Sequence, residues 1–312
     1  MLVLWFFLAW CQQGIGQIER RNPAKRPTRS QPPGRYDSNT ENLFKGDPFQ
    51  DVRGVRPEKS TAHRSSDGSM DIEIPVRETT GIVPWTQLIS AETVTDEIKN
   101  QLPAVGESVR RIGTFKGGGN HKVQKQYAII ATMFGIIAEY GEPIRWKDVS
   151  VGARNAFARA AANAKTASAN AHQESKMRFE DLGELIRGGS VEFAGSGEDI
   201  LWSRLVDRRL LMQRIEEADK ERIKPGITNE SEFKKNRSRL VHEAEVIAAL
   251  AEIIQREEYE FYDDDDYLAY CKQLQQQAHQ LAIAVRDNNL TEVQRHYGEI
   301  TKTCSACHEG YK

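Results

Sequence analysis

The stretch DDYLAYCKQLQQQAHQLAIAVRDNNLTEVQRHYGEITKTCSACHEGYK, residues 265–312, decides the fold. Its apolar residues recur at spacings of three and four along 265–286, and the same rhythm resumes after a break. The break is the polar turn 286–289, which is too short to separate the two helices in space. The sequence therefore predicts an antiparallel helical hairpin that ends at the C-terminus.

Polar residues mark the start of both helices of this hairpin. Four aspartates occupy 263–266, where negative charge offsets the positive end of a helix dipole. A calcium loop is the alternative, but the glycine and the distant glutamate of that pattern are missing. Asn289 caps the last helix, with Glu292 three residues later. Cys271 falls on the apolar stripe and is predicted to be a buried thiol.

Upstream periodicity extends the helical pattern over much of the chain. Apolar stripes and helix-stop residues predict helices at 121–140, 148–172 with a bent continuation to Ile186, 199–222 and 231–258, with a linker at 188–197. Asp148 is the expected cap of the second of these. The predicted fold class is all-α, with a four-helix core and extra helices.

Two of the predicted helices share a similar stretch of sequence. IIATMFGIIAEY (129–140) resembles VIAALAEIIQRE (246–257). Either a helical hairpin has been duplicated, or two bundle helices obey one packing rule. We favour the packing rule on the sequence alone.

The N-terminal third differs from the rest in composition. Residues 1–17 contain an apolar run of nine, which is too short to span a membrane and fits a secretory signal. Cys11 follows this run and offers an alternative site of lipid attachment. Residues 18–70 predict a disordered linker, 71–118 a mixed short segment with a strand at IEIPV and a short helix at Thr93–Leu102, and 119–312 the helical domain.

The overall composition excludes several classes of protein. The net charge of −2 gives no global attraction to nucleic acid, and 39% hydrophobic with 28% charged residues suits a globular chain with a modest core. Four cysteines in 312 residues are too few for a disulfide scaffold.

The motif Cys-Ser-Ala-Cys-His at 304–308 carries the predicted chemistry. Cys304 and Cys307 are about one helical turn apart, so their sulfurs can bond to the two vinyl groups of one haem edge. His308 then lies under the iron and offers an axial nitrogen. A redox CxxC motif is expected near a βαβ unit, and a zinc site needs a second ligand pair that this chain lacks. The motif therefore predicts covalent attachment of one haem c.

The position of the motif at the end of the last helix is similar to the cytochrome c′ and cytochrome c556 family. There the pattern is CxxCHxx(Tyr or Phe)(Arg or Lys), and Cys304, Cys307, His308, Tyr311 and Lys312 match it position by position. The resemblance covers about 45 residues at the C-terminus. It implies a four-helix bundle with haem c and its iron among the helices, and often a homodimer. It also implies a contact of Lys312 with a haem propionate or a carboxylate, although an ordinary charged terminus is an equal alternative.

The sixth iron ligand is left open by the sequence. In the c556 branch of the family a first-helix methionine fills this position, which makes Met133 the candidate here. In the c′ branch the position is empty. His121 is an alternative, and Met177 and Met212 are further methionines without a motif. Among the other histidines, His242, His279 and His296 fall on predicted helices and are expected mainly at their surfaces.

Two functions follow from these alternatives. Methionine ligation favours electron transfer with redox partner proteins of the cell envelope, because His/Met ligation raises the reduction potential. A vacant apolar face favours binding of a small gas such as nitric oxide or carbon monoxide. No distal His/Arg constellation supports a peroxidase-like enzyme, so no catalytic residue is predicted. The export signal predicts a periplasmic protein. The alternative is a periplasmic protein that its N-terminus tethers to the membrane.

Overall fold

A computed structural model describes residues 83–193 and 201–311 of the chain. Every regular element in those ranges is helical, which confirms the predicted all-α fold class. The predictions for the signal at 1–17, the linker at 18–70, the IEIPV strand, Cys11 and Lys312 lie outside the described residues. Within the described ranges, no helix combines the length and apolar character that crossing a membrane requires.

The helices fall into two groups along the chain. The first module, residues 83–193, contains α1 Trp85–Leu88, α2 Ala91–Val109, α3 Ile112–Thr114, α4 Asn120–Glu139, α5 Ser150–Asn163 and α6 Ala169–Arg187. The second module, residues 201–311, contains α7 Trp202–Leu205, α8 Arg208–Glu217, α9 Lys224–Gly226, α10 Glu230–Ile253, α11 Asp265–Arg286 and α12 Leu290–Gly310. A wider helical turn, Ala218–Ile223, joins α8 to α9.

In each module the long helices pack through buried apolar side chains, and the central helices α4 and α10 are buried on almost all sides over much of their length. In the first, α4 packs on α2 and α5, and α6 packs on α2 and α5. In the second, α10 packs on α11, and α11 on α12. Alanines on α10 and α11 allow close approach of these two helices, and Ala248 and Ala282 are completely buried there.

The predicted C-terminal hairpin is confirmed together with its caps. The Asp264 carboxylate accepts hydrogen bonds from the amides of Asp266 and Tyr267 at the start of α11. Asn289 accepts from the amide of Glu292 at the start of α12. Cys271 is buried on the inner face of α11, as its place on the apolar stripe predicts.

The predicted helix at 148–172 is wrong, because the structure contains two helices there. α5 ends at Asn163, and α6 begins at Ala169 after Ser168, whose hydroxyl accepts from the amide of Ala171. That cap starts a new helix, which a continuous apolar stripe conceals. Asp148 lies in a short 3₁₀ turn and makes no cap hydrogen bond to α5.

The helix predicted at Thr93–Leu102 is longer than expected. α2 runs from Ala91 to Val109 and continues through Pro103. Ile98 and Val105 are completely buried, and α2 packs against α4 and α6. The described part of 71–118 is therefore helical and belongs to the core of the first module.

Candidate functional site

The last two turns of α12 carry the predicted attachment motif. Cys304 and Cys307 are half-buried free thiols, whereas the His308 side chain is exposed. All three residues line one cavity of about 480 Å³, which we call the C-terminal cavity. Its volume lies within the range of about 300–1,000 Å³ that is usual for sites of small molecules and cofactors.

Side chains from α8, α10, α11 and α12 form the walls of the C-terminal cavity. The apolar lining consists of Met212, Ile215, Ile223, Ile247, Ile254, Leu274 and Ile300. Exposed polar side chains of α8 and the following turn complete it: Arg209, Gln213, Glu216 and Lys220. A flat apolar macrocycle with a polar edge fits this lining, and two thiols and one imidazole face the same space. The residues present therefore fit haem c.

Burial keeps the cysteines of this site uncharged. It raises the pKa of Cys304 to about 11, with a smaller effect from the negative charge of Asp219. Burial likewise raises the pKa of Cys307, and it raises that of Cys271 to about 12. All three thiols are therefore neutral at pH 7, which suits an apolar cavity.

Asp219 also ties α12 to the turn that follows α8. The Tyr297 hydroxyl donates to the Asp219 carboxylate at 2.7 Å. Burial and this hydrogen bond raise the pKa of Tyr297 to about 12, so the phenol stays protonated as a donor. The contact fixes one wall of the C-terminal cavity relative to another.

Tyr311, a residue of the resemblance motif, anchors the end of α12. Its hydroxyl donates to Asp264, the cap of α11, at 2.8 Å. Its ring packs at 5.1 Å from that of Phe261, 5.4 Å from Tyr267 and 6.3 Å from Tyr270. This aromatic cluster holds the segment directly after His308 against α11.

The structure does not bring Met133 to the C-terminal cavity. Met133 is completely buried on α4 in the core of the first module, and it is not among the residues that line the cavity. His121 is exposed at the start of α4, and Met177 is 45% exposed on α6. Met212, by contrast, is half-buried on α8 and lines the cavity together with His308.

Two histidines expected at helix surfaces have structural contacts instead. His242 donates a hydrogen bond to Glu97 at 2.8 Å. His296 is buried and contacts the Gln277 side chain at 2.7 Å. Neither lines the C-terminal cavity, and the residues of α12 that face it include Tyr297 and Ile300.

The sequence alone does not reveal that Met212 and Cys271 line the C-terminal cavity. Met212 shares an apolar stripe with Leu205 and Ile215, which predicts only burial. Its proximity to His308 depends on the packing of α8 against distant parts of the chain.

Comparison with known proteins gives one family match. The model of the family described as Cytochrome C' matches residues 208–312, from the start of α8 to the C-terminus. No curated protein and no solved structure gives a significant match. The match covers the helices that form the C-terminal cavity and leaves the first module unmatched. It confirms the resemblance inferred from the motif and the predicted cofactor, haem c with its iron, and residues 208–312 are similar to the haem-binding c-type cytochromes of that family.

Proposed function

We propose that this protein is a single-haem cytochrome that exchanges electrons with partner proteins in the cell envelope. One observation carries the proposal: a thioether, Met212, lies in the wall of the same cavity as the imidazole of His308. An imidazole and a thioether together favour a raised potential and leave no iron position for an exogenous ligand. The proposal is for electron exchange and not for an enzyme.

Three residues of α12 would hold the cofactor. Cys304 and Cys307 would form thioether bonds with it, and the His308 imidazole would supply a nitrogen ligand to its iron. When bound, haem c supplies one-electron chemistry at its iron. The apolar side chains of α10 and α11 exclude water from that space. Met212 would supply a sulfur ligand to the iron.

The exposure of the motif supports exchange with a protein partner. His308, Glu309 and Gly310 are exposed at the end of α12. A partner can therefore approach close to the attachment site without opening the bundle. The apolar run near the N-terminus supports the envelope as the compartment, where c-type haem is attached.

Binding of a small gas is the second candidate function. The apolar lining supports it, since Ile247, Ile254 and Leu274 offer no hydrogen bond to a bound ligand. The two functions differ in one respect, which is whether the Met212 sulfur binds the iron. Without that bond, the same cavity would give a five-coordinate iron that faces apolar side chains.

Optical spectra of the ferrous holoprotein, with and without carbon monoxide, test the proposal. We expect a low-spin spectrum that carbon monoxide leaves unchanged. Replacement Met212→Leu keeps the side-chain volume and removes the sulfur. That variant should give a high-spin spectrum that shifts on addition of the gas.

Met133→Leu is the matched control, because it makes the same chemical change in the first module. It should leave the spectrum and the response to carbon monoxide as in the unaltered protein. An unaltered protein that binds carbon monoxide readily would refute electron transfer through Met212 and support gas binding. Secreted, mature protein without Soret absorption would refute both functions.

A further inference from the structure

The first two elements of each module repeat in the same order, 117 residues apart along the chain. α1 Trp85–Leu88 and α7 Trp202–Leu205 are 117 residues apart. At the same distance, α2 Ala91–Val109 corresponds to the continuous helical stretch 208–226 formed by α8, its wider turn and α9. Both the first and the last residues of these elements coincide, which independent bundles have no reason to show.

The sequence supports this correspondence beyond a shared packing rule. WTQLIS (85–90) aligns with WSRLVD (202–207), and IIATMFGIIAE (129–139) aligns with VIAALAEIIQR (246–256). The two short helices also end in the same way. The amide of Ile89 donates to the carbonyl of Trp85, and the amide of Val206 donates to the carbonyl of Trp202. The similarity of 129–140 to 246–257, which the sequence alone attributes to packing, is thus part of a duplicated module.

The contacts between the modules join equivalent residues. Glu97 pairs with Arg214 at 2.7 Å, and their positions are 117 residues apart. Glu139 pairs with Arg256 at 3.1 Å, again 117 residues apart. The rings of Trp85 and Trp202, also equivalent, have centroids 5.9 Å apart. In a twofold assembly, a residue meets its own equivalent only on the axis.

Further contacts around these pairs are reciprocal, as a twofold interface requires. Both tryptophan Nε1 atoms donate to the Glu139 carboxylate, each at 2.9 Å. The Arg256 guanidinium lies 4.8 Å from the Trp85 ring and 5.2 Å from the Trp202 ring. On a larger scale, α4 contacts α7 and α8, and α10 contacts α1 and α2. Each module thus presents the same face to the other.

The space of the C-terminal cavity is filled at the corresponding place in the first module. Ile223 and Ile300 line that cavity. Gly106 corresponds to Ile223, and Phe179 to Ile300 when α6 and α12 are aligned at their N-caps. A Cβ atom at Gly106 would lie only 3.0 Å from the Phe179 ring. An aromatic ring therefore occupies the region where the second module has open volume.

The attachment residues are also missing from the first module. In the same alignment of α6 with α12, the positions of Cys304, Cys307 and His308 correspond to Gly183, Ile186 and Arg187. Neither a thiol nor an imidazole is present at these three positions.

We propose that the first module is a haem-free copy of the second, and that it covers the face through which the second would pair with another copy. The chain is then a pseudo-dimer with one cofactor, in which the partner of the haem module is part of the same polypeptide. The statement about haem rests on the proposed function, whereas the duplication and the twofold interface do not.

Exchange of Glu139 and Arg256, one of the ion pairs on the twofold axis, tests the interface in the full-length holoprotein. Glu139→Arg alone places two guanidinium groups together and removes the acceptor of both indoles. We expect it to lower the melting temperature by about 5 °C. Combination with Arg256→Glu should restore it to within about 2 °C, because a carboxylate at 256 reaches both indoles when the site is twofold. The near-ultraviolet circular dichroism, to which Trp85 and Trp202 contribute, should recover in parallel.

Reversal of Arg159 and Glu174, an ion pair inside the first module, is the matched control. Because this pair is partly exposed, we expect a change in melting temperature of at most about 2 °C. If the exchanged variant stays as unstable as Glu139→Arg alone, the twofold interface is refuted. These readouts do not depend on the iron ligands, so they fail separately from the spectral test of function.

Sedimentation of the full-length holoprotein tests the consequence for assembly. A monomer with one haem per chain at micromolar concentration is expected, because the pairing face is already covered. A stable dimer would overturn the claim that the first module replaces a second copy.

Discussion

The buried pair of Glu97 and Arg214 gives the strongest prediction about stability. Arg214 Nε donates to Glu97 Oε1 at 2.7 Å, and Nη2 donates to Oε2 at 2.9 Å, which is bidentate geometry. The side chains are 0% and 1% exposed. Arg214 also contacts the buried Glu243 at 2.7 Å, so its single charge faces two carboxylates.

The surroundings determine how Glu97 titrates. Burial by itself raises the pKa of Glu97, but the Arg214 charge and the hydrogen bonds from His242 and Arg214 outweigh it. The pKa of Glu97 is therefore well below its usual value. A carboxyl whose pKa is lowered by folding stabilises the protein above its unfolded pKa of about 4.3, and this contribution is lost as the pH falls further.

Arg214→Met removes the charge and keeps most of the apolar stem. It leaves Glu97 buried with His242 as its remaining partner among the groups that hold it ionised. Removal of one member of a buried pair costs about 3–5 kcal/mol of unfolding free energy. For a domain of this size that is a decrease of about 10 °C in melting temperature.

The dependence on pH distinguishes this mechanism from simple loss of packing. In Arg214→Met, burial acts on Glu97 without the opposing guanidinium, so the pKa rises. The loss of unfolding free energy is then greatest above that pKa, and it decreases as the pH falls and the Glu97 carboxyl takes up a proton. The stability deficit relative to the unaltered protein should be smaller at pH 5 than at pH 8.

Scanning calorimetry of the holoprotein at several pH values measures both effects. The matched control is Glu97→Leu combined with Arg214→Met, which removes both charges and should recover a large part of the loss. A deficit below about 1 kcal/mol, or a deficit that is equal at pH 5 and pH 8, would refute the reasoning.

Two further predictions concern the anchoring of α12 and the contact between modules. A backbone amide of α11 and the Tyr311 hydroxyl hold the pKa of Asp264 below its usual value, so Tyr311→Phe should raise that pKa in a nuclear magnetic resonance titration; an unchanged value would contradict the contact. Gly135→Ala places a Cβ atom 2.7 Å from the Trp202 ring, which should cost about 1–3 kcal/mol in denaturant unfolding, whereas a neutral effect would contradict the close packing.

The C-terminal helices could be predicted well because their signals are local. The periodicity of 265–286, the polar turn and the Asn289 cap are written within a few residues of where they act. The attachment motif is local as well, since Cys304 and Cys307 need only one helical turn to face the same side. The division of 148–172 was missed because the Ser168 cap interrupts a stripe that stays apolar on both sides.

The cavity and its second candidate ligand could not be predicted in the same way. Met133 and Met212 both lie on apolar helical stripes, and periodicity gives them equal claims. What separates them is tertiary: α4 buries Met133 in the first module, whereas α8 turns Met212 toward the space beside His308. A single sequence contains no local trace of that choice.

The charges on the axis explain why a fused pair can be built differently from a pair of identical chains. In a symmetric homodimer, a residue on the axis meets an identical residue, so a buried Glu97 would face a second carboxylate. The repulsion between the two carboxylates would then add to the cost of burying them, whereas the attraction in an ion pair offsets that cost. Duplication removes this constraint, because the two equivalent positions can mutate separately and become Glu97 and Arg214, or Glu139 and Arg256. The same independence allows one copy to fill its interior with Phe179 while the other keeps the C-terminal cavity open.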